Sequence, residues 1–355
     1  MLEIKAGPIT GTVMQVKIGM KRSAWRSGFL AVLLIAVFVT GIACSSDNGT
    51  DEPVSVSLAL DWFPNSNHAG IYAAMSQGYF EEEGLNVNVY TPADPTSVLQ
   101  SVGAGRDEFG ISYQTDLLQA RSEGVGVVSV TGIVQHPLNS VMALQSSGIT
   151  RPGDLAGKKI GYPGIPSNEG LLDTMLEADG LTLQDVELVD VGFALTQPLA
   201  AGTVDAIVGA YWTHESIVLE QEGYPVNVMR MEEWGVPDFY ELVLVTGEGT
   251  VANKAEVVQK LVRALKRGFE YAIANPGTSV DMLVELGGDA VIEPVEREGV
   301  LLLAPMWDDG SIPEFGWQTA DRWEAYAAWM KSRSLIDSNL DASEAFTNQF
   351  VEGAD

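Results

Sequence analysis

Residues 54–80 read VSVSLALDWFPNSNHAGIYAAMSQGYF. Val54-Ser55-Val56-Ser57-Leu58-Ala59-Leu60 alternates with period two, as a strand with one buried face does. From His68 to Phe80 the apolar residues Ile71, Ala74 and Met75 fall at helical spacing, and Gly78 lies near the end. Between them, Asp61 to Asn67 forms a loop. A strand that runs through a short loop into a helix is the first half of a βα unit.

The pattern continues outward. Leu85–Tyr90, Phe109–Tyr113 and Val127–Thr131 read as strands, with helices over Ser97–Gly103 and Thr115–Ser122. It restarts after Pro137-Leu138-Asn139, with strands at Ser140–Leu144, Lys158–Tyr162, Val186–Asp190, Ala206–Gly209 and Tyr240–Thr246. Helices are expected at Asn168–Ala178 and Glu215–Gln221, and then over Val257–Ala274, Ser279–Leu286, Ala320–Ser332 and Ala342–Phe350. No internal repeat is present. This alternation predicts an α/β chain of parallel strands with crossover helices, built as two successive units and hence two lobes. In such sheets ligands sit beyond the carboxyl ends of the strands, so the loops there are the candidate site.

The 355 residues are 46% hydrophobic, enough for a substantial core, and carry a formal charge of −28. Residues 1–43 are basic, with Lys5, Lys17, Lys21, Arg22 and Arg26 against Glu3, which leaves about −32 on the remainder. So acidic a surface repels phosphate backbones and excludes nucleic acid as a natural partner. The basic Met20-Lys21-Arg22 and Arg26, the apolar run Phe29–Val39 and small residues up to Ala43 have the form of a secretory signal, with Met20 the more natural start. That run is short for a bilayer span. The sole cysteine, Cys44, follows directly and precedes a polar linker over 44–53, which predicts lipidation of Cys44, although Gly41-Ile42 departs from the usual pattern; cleavage with an incidental Cys44 is the alternative. One cysteine also excludes an intramolecular disulfide.

Four strand-end loops carry unusual residues: Asp61–Gly70, Pro163–Gly170, Ala210–Glu215 and Trp234–Glu241. The first, third and fourth combine aromatic faces with carboxylates or amides, suited to a flat ring with hydrogen-bonding edges. The competing reading makes Trp62 or Trp212 a core cap, and Asn65, Asn67 or Ser167 a turn or N-cap residue. Lys and Arg are missing from all four loops, while Asp61, Glu169, Glu215 and Asp238 supply acceptors. A ring bearing N–H donors therefore fits better than an anion. His68, His136 and His214 also lie near strand ends, but no short His spacing supports a metal site, and none is expected. Nucleophile-elbow, zinc-protease and phosphate-loop motifs are absent, so no catalytic residue is assigned.

The stretch Leu60–Phe80 resembles the opening of solute-binding proteins of the no-message-in-thiamine family, akin to the fungal thiamine-pyrimidine synthases. The likeness continues through Asp154–Gly161, Gly209–Trp212, Asp238–Val243 and Thr347–Phe350. It implies a two-lobed type II periplasmic-binding-protein fold with two crossover hinge strands near Val141–Leu144 and Leu242–Thr246. Lobe 1 would span 54–143 with 245–355, and lobe 2 would span 144–244. By the same resemblance Asp61, Trp62, Asn65, Asn67 and His68 of one lobe, with Ser167, Tyr211, Trp212, Glu215 and Asp238 of the other, bind the ligand. Trp62, Tyr211 and Trp212 would stack on the ring, Glu215 would accept from an exocyclic amine, and Asn65 and Asn67 would make paired contacts.

The implied function is the extracytoplasmic receptor of an ABC importer for a thiamine-precursor aminopyrimidine. Its partners would be the permease and its ATPase, and it would act as a lipid-anchored monomer without cofactor or catalysis. Riboflavin, a sulfonate or nitrate is the alternative cargo. A more distant alternative is a fungal-type synthase that consumes a histidine, for which His68 is the candidate; those enzymes carry a cysteine cluster that this chain lacks.

Overall fold

The computed structural model describes residues 52–352; the leader 1–43, Cys44 and the linker as far as residue 51 lie outside the described residues. Strands β1 (Val54–Ala59), β2 (Leu85–Tyr90), β3 (Phe109–Ser112), β4 (Val127–Val134), β5 (Asn139–Leu144), β6 (Lys159–Tyr162), β7 (Glu187–Asp190), β8 (Ala206–Tyr211), β9 (Val226–Arg230) and β10 (Leu242–Gly247) form two five-stranded sheets. Their orders, β2-β1-β3-β10-β4 and β7-β6-β8-β5-β9, follow one plan. Three strands run parallel in each, then the strand by which the chain enters from the other sheet, β10 or β5, intervenes before the last.

These two entering strands correct the expectation of parallel pairing throughout. β10 is antiparallel to both β3 and β4, and β5 is antiparallel to both β8 and β9. The cause is topological. β4 ends at the carboxyl edge of the first sheet and the chain passes to the second without a crossover helix. β5 therefore enters at the edge where its neighbours' carboxyl ends emerge and must run against them. β10 returns by the same logic. Both sets of carboxyl ends consequently face a common cleft.

The apolar runs Val141–Leu144 and Leu242–Thr246 are central strands within the sheets, buried on both faces, rather than the passages between them. The chain changes sheets at 135–138 and again over 231–241, so the expected limits at 143/144 and 244/245 fall inside β5 and β10.

The helix after β1 stops at Ser76 and a second short one starts at Tyr79, because Gly78 takes a left-handed φ of 73°. It lies on the helix Ala255–Ala274, where Leu261, Leu265 and Phe269 join Leu58, Ile71 and Phe80 in one core. Each such side chain contributes about 1.5–3 kcal/mol by leaving water.

The elements not legible include β9, the short helices Thr196–Ala200 and Glu248–Asn253, and the helix Glu293–Trp307. β9 is a half-exposed edge strand without a clear buried face, and the helix Glu293–Trp307 carries the run Val300–Ala304, which has no polar face to reveal a period; Leu301 is 62% exposed. The helix expected over Ala342–Phe350 is a single turn at Ala342–Glu344. Beyond it the backbone pairs with the edge of β4, Ser129 N–H to Ala345 O and Thr347 N–H to Ser129 O, both at 2.9 Å. Among the described residues no helix is long and apolar enough to cross a membrane.

Candidate functional site

Residues following four parallel strands converge on one cavity. β1 leads to Asp61, Trp62 and Asn65; β3 to Tyr113 and Thr115; β6 to Pro163, Ile165 and Ser167; β8 to Tyr211, His214 and Glu215. Asn139, Phe239 and Glu241 close it from the two passages between the sheets. The walls enclose about 570 Å³, counting the space open to solvent. Of the ten expected binding residues, Asp61, Trp62, Asn65, Ser167, Tyr211 and Glu215 line this space, whereas Asn67, His68, Trp212 and Asp238 do not.

The first loop is held by its own polar side chains. Asn65 caps the turn Ser66–His68, its Oδ1 accepting the Asn67 N–H at 2.8 Å and the Asn67 Nδ2 at 2.9 Å. Its Nδ2 donates to Phe63 O at 3.0 Å, so the Asn65 amide is occupied by the fold, a cap of the kind that contributes about 1 kcal/mol. The Asn65 N–H donates to His68 Nδ1 at 3.3 Å, which leaves the His68 proton on Nε2, 2.9 Å from Asp61 Oδ1. His68 is therefore a buried support for Asp61. The other Asp61 oxygen accepts the Tyr113 hydroxyl at 3.1 Å, and burial, followed by the Asp61 charge, pushes the Tyr113 phenol well above its ordinary range.

Trp212 faces away from the cavity. Its Nε1 donates to Pro137 O at 3.1 Å, and Arg230 covers its ring at 3.9 Å from the centroid. It braces the first passage and packs with the second-sheet core. Asp238 is exposed and pairs with His136 at 2.9 Å and Arg322 at 3.1 Å. Trp62 keeps its place on the wall, with Phe193 of the other half packed edge-on at 4.3 Å.

Gly209 shapes the opposite wall. Its φ of 92° suits glycine alone, and a Cβ there would lie 2.8 Å from Pro163. Its N–H donates to Asn139 Oδ1 at 3.1 Å, while Asn139 Nδ2 donates to Asn168 Oδ1 at 2.7 Å.

Glu215 accepts the Tyr211 N–H at 2.8 Å and meets His214 Nδ1 at 3.1 Å. The far nitrogen of His214 meets Glu296 at 3.3 Å. Burial disfavours the imidazolium, but the charge of Glu215 and the hydrogen bonds to Glu215 and Glu296 outweigh it and push the His214 pKa up to about 10.

Glu241 Oε2 accepts two backbone donors, Leu138 N–H at 2.7 Å and Asn139 N–H at 2.9 Å. Burial still pushes its carboxyl up to about 7 against these donors, with the Asp61 charge adding to the rise. The buried Tyr211 hydroxyl faces Glu241 without a well-formed hydrogen bond.

No Lys or Arg lines the cavity; Asp61, Glu215 and Glu241 supply carboxyls and His214 the cation nearest them. The three histidines sit in separate pairings, and among the described residues no group of three or more His, Cys, Asp or Glu is arranged to hold a metal. The strand-end rule applied to β3 would have found Tyr113. Glu241, Phe239 and His214 lay inside loops already singled out, but nothing in their spacing set them above their neighbours.

A family model described as NMT1/THI5 like matches residues 65–279. The formylaminopyrimidine-binding protein of Halalkalibacterium halodurans is 36% identical over 90% of this chain and 97% of its own. A 4-amino-5-hydroxymethyl-2-methylpyrimidine phosphate synthase of Aspergillus parasiticus is 29% identical over 65% of this chain and 70% of its own. In fold, the chain is similar to the alkanesulfonate-binding protein SsuA from Xanthomonas axonopodis pv. citri bound to MOPS, with a TM-score of 0.67 at 16% identity over 83% of this chain and 99% of that one.

Proposed function

This chain belongs to the NMT1/THI5-like family, and we propose on that footing that it is the solute-binding component of an ABC importer, with a thiamine-precursor aminopyrimidine as ligand. The ligand is of the hydroxymethylpyrimidine or formylaminopyrimidine type. The observation that carries this reading is the cavity's polarity: three carboxyl side chains and two tyrosines, without Lys or Arg, in a space between two sheets. Such walls accept N–H donors and disfavour a sulfonate or nitrate, whose recognition needs donors. Trp62 supplies a ring face, and Asp61, Glu215 and Tyr211 supply polar contacts, with Ser167 at the start of its helix.

The protein binds and releases its ligand without converting it. His68 supports this, since both its ring nitrogens are engaged inside the fold. Closure of the halves about 135–138 and 231–241 is the signal that a permease and its ATPase read. The chain acts outside the cytoplasmic membrane, anchored through Cys44; Cys44→Ala then shifts it from the membrane to the soluble fraction, and unchanged membrane retention removes the anchor.

A thermal-shift screen of aminopyrimidines, thiamine, riboflavin and taurine tests the ligand. A ligand at 100 times its Kd stabilises by about 2.7 kcal/mol. Stabilisation by taurine or riboflavin with none by an aminopyrimidine overturns the assignment.

A further inference from the structure

Glu241 belongs to two structures at once. It lies in the second passage between the sheets, immediately before β10, and its side chain lines the ligand cavity. Through Oε2 it holds Leu138 and Asn139, where the first passage enters β5, and its own N–H donates to Val134 O at 3.0 Å, where that passage leaves β4. One residue thus ties both passages together at the cavity floor. Because Oε2 is saturated by two backbone donors, Oε1 is the acceptor left for the cavity side.

The groups around it offer no positive charge. Asp61 from the β1 loop, Tyr113 after β3, Tyr211 from β8 and Tyr326 from the helix Ala320–Ser332 are its titratable neighbours. Of these only the Tyr211 hydroxyl is a donor facing the carboxyl, and it makes no well-formed hydrogen bond there, so Oε1 stays open to a donor on the ligand.

We propose that Glu241 is a specificity-determining residue of the cavity, selecting ligands that present an N–H donor to Oε1 over isosteres that present a carbonyl there. This rests on the aminopyrimidine reading and adds to it the residue that tells an amino edge from an oxo edge. The same contact reaches the passages through Oε2, so recognition and closure act on one carboxyl.

The test pairs 4-amino-5-hydroxymethyl-2-methylpyrimidine with its 4-oxo counterpart, titrated calorimetrically into wild type and Glu241→Gln. Glutamine keeps an oxygen for the Leu138 and Asn139 N–H groups and turns its amide N–H₂ toward the cavity; a Tm no lower than that of wild type shows that the passages are intact. At pH 8, above the raised Glu241 pKa of about 7, wild type prefers the amino compound by about 10- to 100-fold, the range of a hydrogen bond to a charged group. Glu241→Gln weakens the amino compound by about the same factor and levels or inverts the preference. Equal binding of both compounds by wild type overturns the proposal, as does a variant that keeps wild-type affinity and preference; in either case the pyrimidine reading stands. If wild type binds neither compound, the pyrimidine reading fails and this inference with it. A variant that fails to fold leaves the wild-type preference as the deciding measurement.

Discussion

His214 Nε2 lies 3.3 Å from Glu296 Oε1, and the two residues come from opposite sides of the cleft. His214 follows β8 of the second sheet; Glu296 sits on the helix Glu293–Trp307, whose Val300, Leu303 and Trp307 belong to the core of the first. Glu296 is fully buried, and its other oxygen accepts the Ser66 N–H at 2.6 Å. His214 also touches the cavity residue Glu215, so the contact joins ligand site and closure.

Glu296→Gln keeps an acceptor for Ser66 but presents N–H₂ to an imidazolium. Loss of a charge-assisted hydrogen bond of about 1.5–3 kcal/mol from the closed form speeds ligand release by about 10-fold or more, with a smaller effect on association. Stopped-flow release and association rates check this; an unchanged release rate removes the latch.

The same pair fixes an alkaline pH dependence. The folded His214 pKa of about 10 exceeds its unfolded value of 6.5, so the folded state holds the extra proton between them. Its stabilisation is complete below pH 6.5 and is lost as pH rises through 10. Urea unfolding of wild type and His214→Gln from pH 6 to 10 shows a stability gap that narrows as pH rises; a constant gap contradicts it.

Glu241 acts at lower pH with the same sign. Its carboxyl is raised from 4.5 to about 7 in the folded unliganded protein. Stability therefore falls as pH rises from about 4.5 to about 7, by on the order of 3 kcal/mol, because the unfolded chain ionises first. Glu241→Gln removes that slope in urea titrations, and an unaltered slope refutes the assignment.

How far the sequence reaches is clearest in the first and third loops. The period-two run before Asp61 and the helical spacing after His68 locate a strand end, and strand ends line the cavity because parallel strands share a polarity. Composition alone does not tell a ligand group from a group that holds the loop. Asn65 and His68 are as polar as Asp61, yet the turn Ser66–His68 consumes both. Trp212 looks like a stacking face beside Tyr211, but neighbouring residues leaving a strand point to opposite sides, and Arg230 awaits the one that turns outward. The antiparallel β5 and β10 were hidden for a different reason: an apolar run records double burial, not direction.

That distinction between the two tryptophans is measurable. Trp212→Ala lowers stability by about 1.5–3 kcal/mol through lost packing of a partly buried ring, the Arg230 contact and the Pro137 hydrogen bond. Trp62→Ala removes a cavity wall, so its main effect is on affinity. Denaturant melts and ligand titrations on both separate the roles; equal affinity losses at unchanged stability would put Trp212 back in the site.

Gly299 offers a way to obstruct closure without touching the ligand. It sits on the helix Glu293–Trp307 one turn beyond Glu296, and a Cβ there would lie 2.6 Å from Ser66 Oγ and 2.8 Å from Thr213 O. Thr213 belongs to the opposite half, and its backbone oxygen has less freedom to retreat than a side chain. Ser66 Oγ, which holds no hydrogen bond, rotates out of the way, but the Thr213 oxygen does not, so in Gly299→Ala the helix and the Thr213 segment separate rather than compress. The helix itself gains from alanine, by up to about 1 kcal/mol, so the folded halves keep or improve their stability. The variant holds the cleft ajar: ligand affinity falls, and small-angle scattering with ligand gives a larger radius of gyration than liganded wild type. A liganded variant as compact and as tightly bound as wild type would mean that the halves close without bringing Gly299 against Thr213.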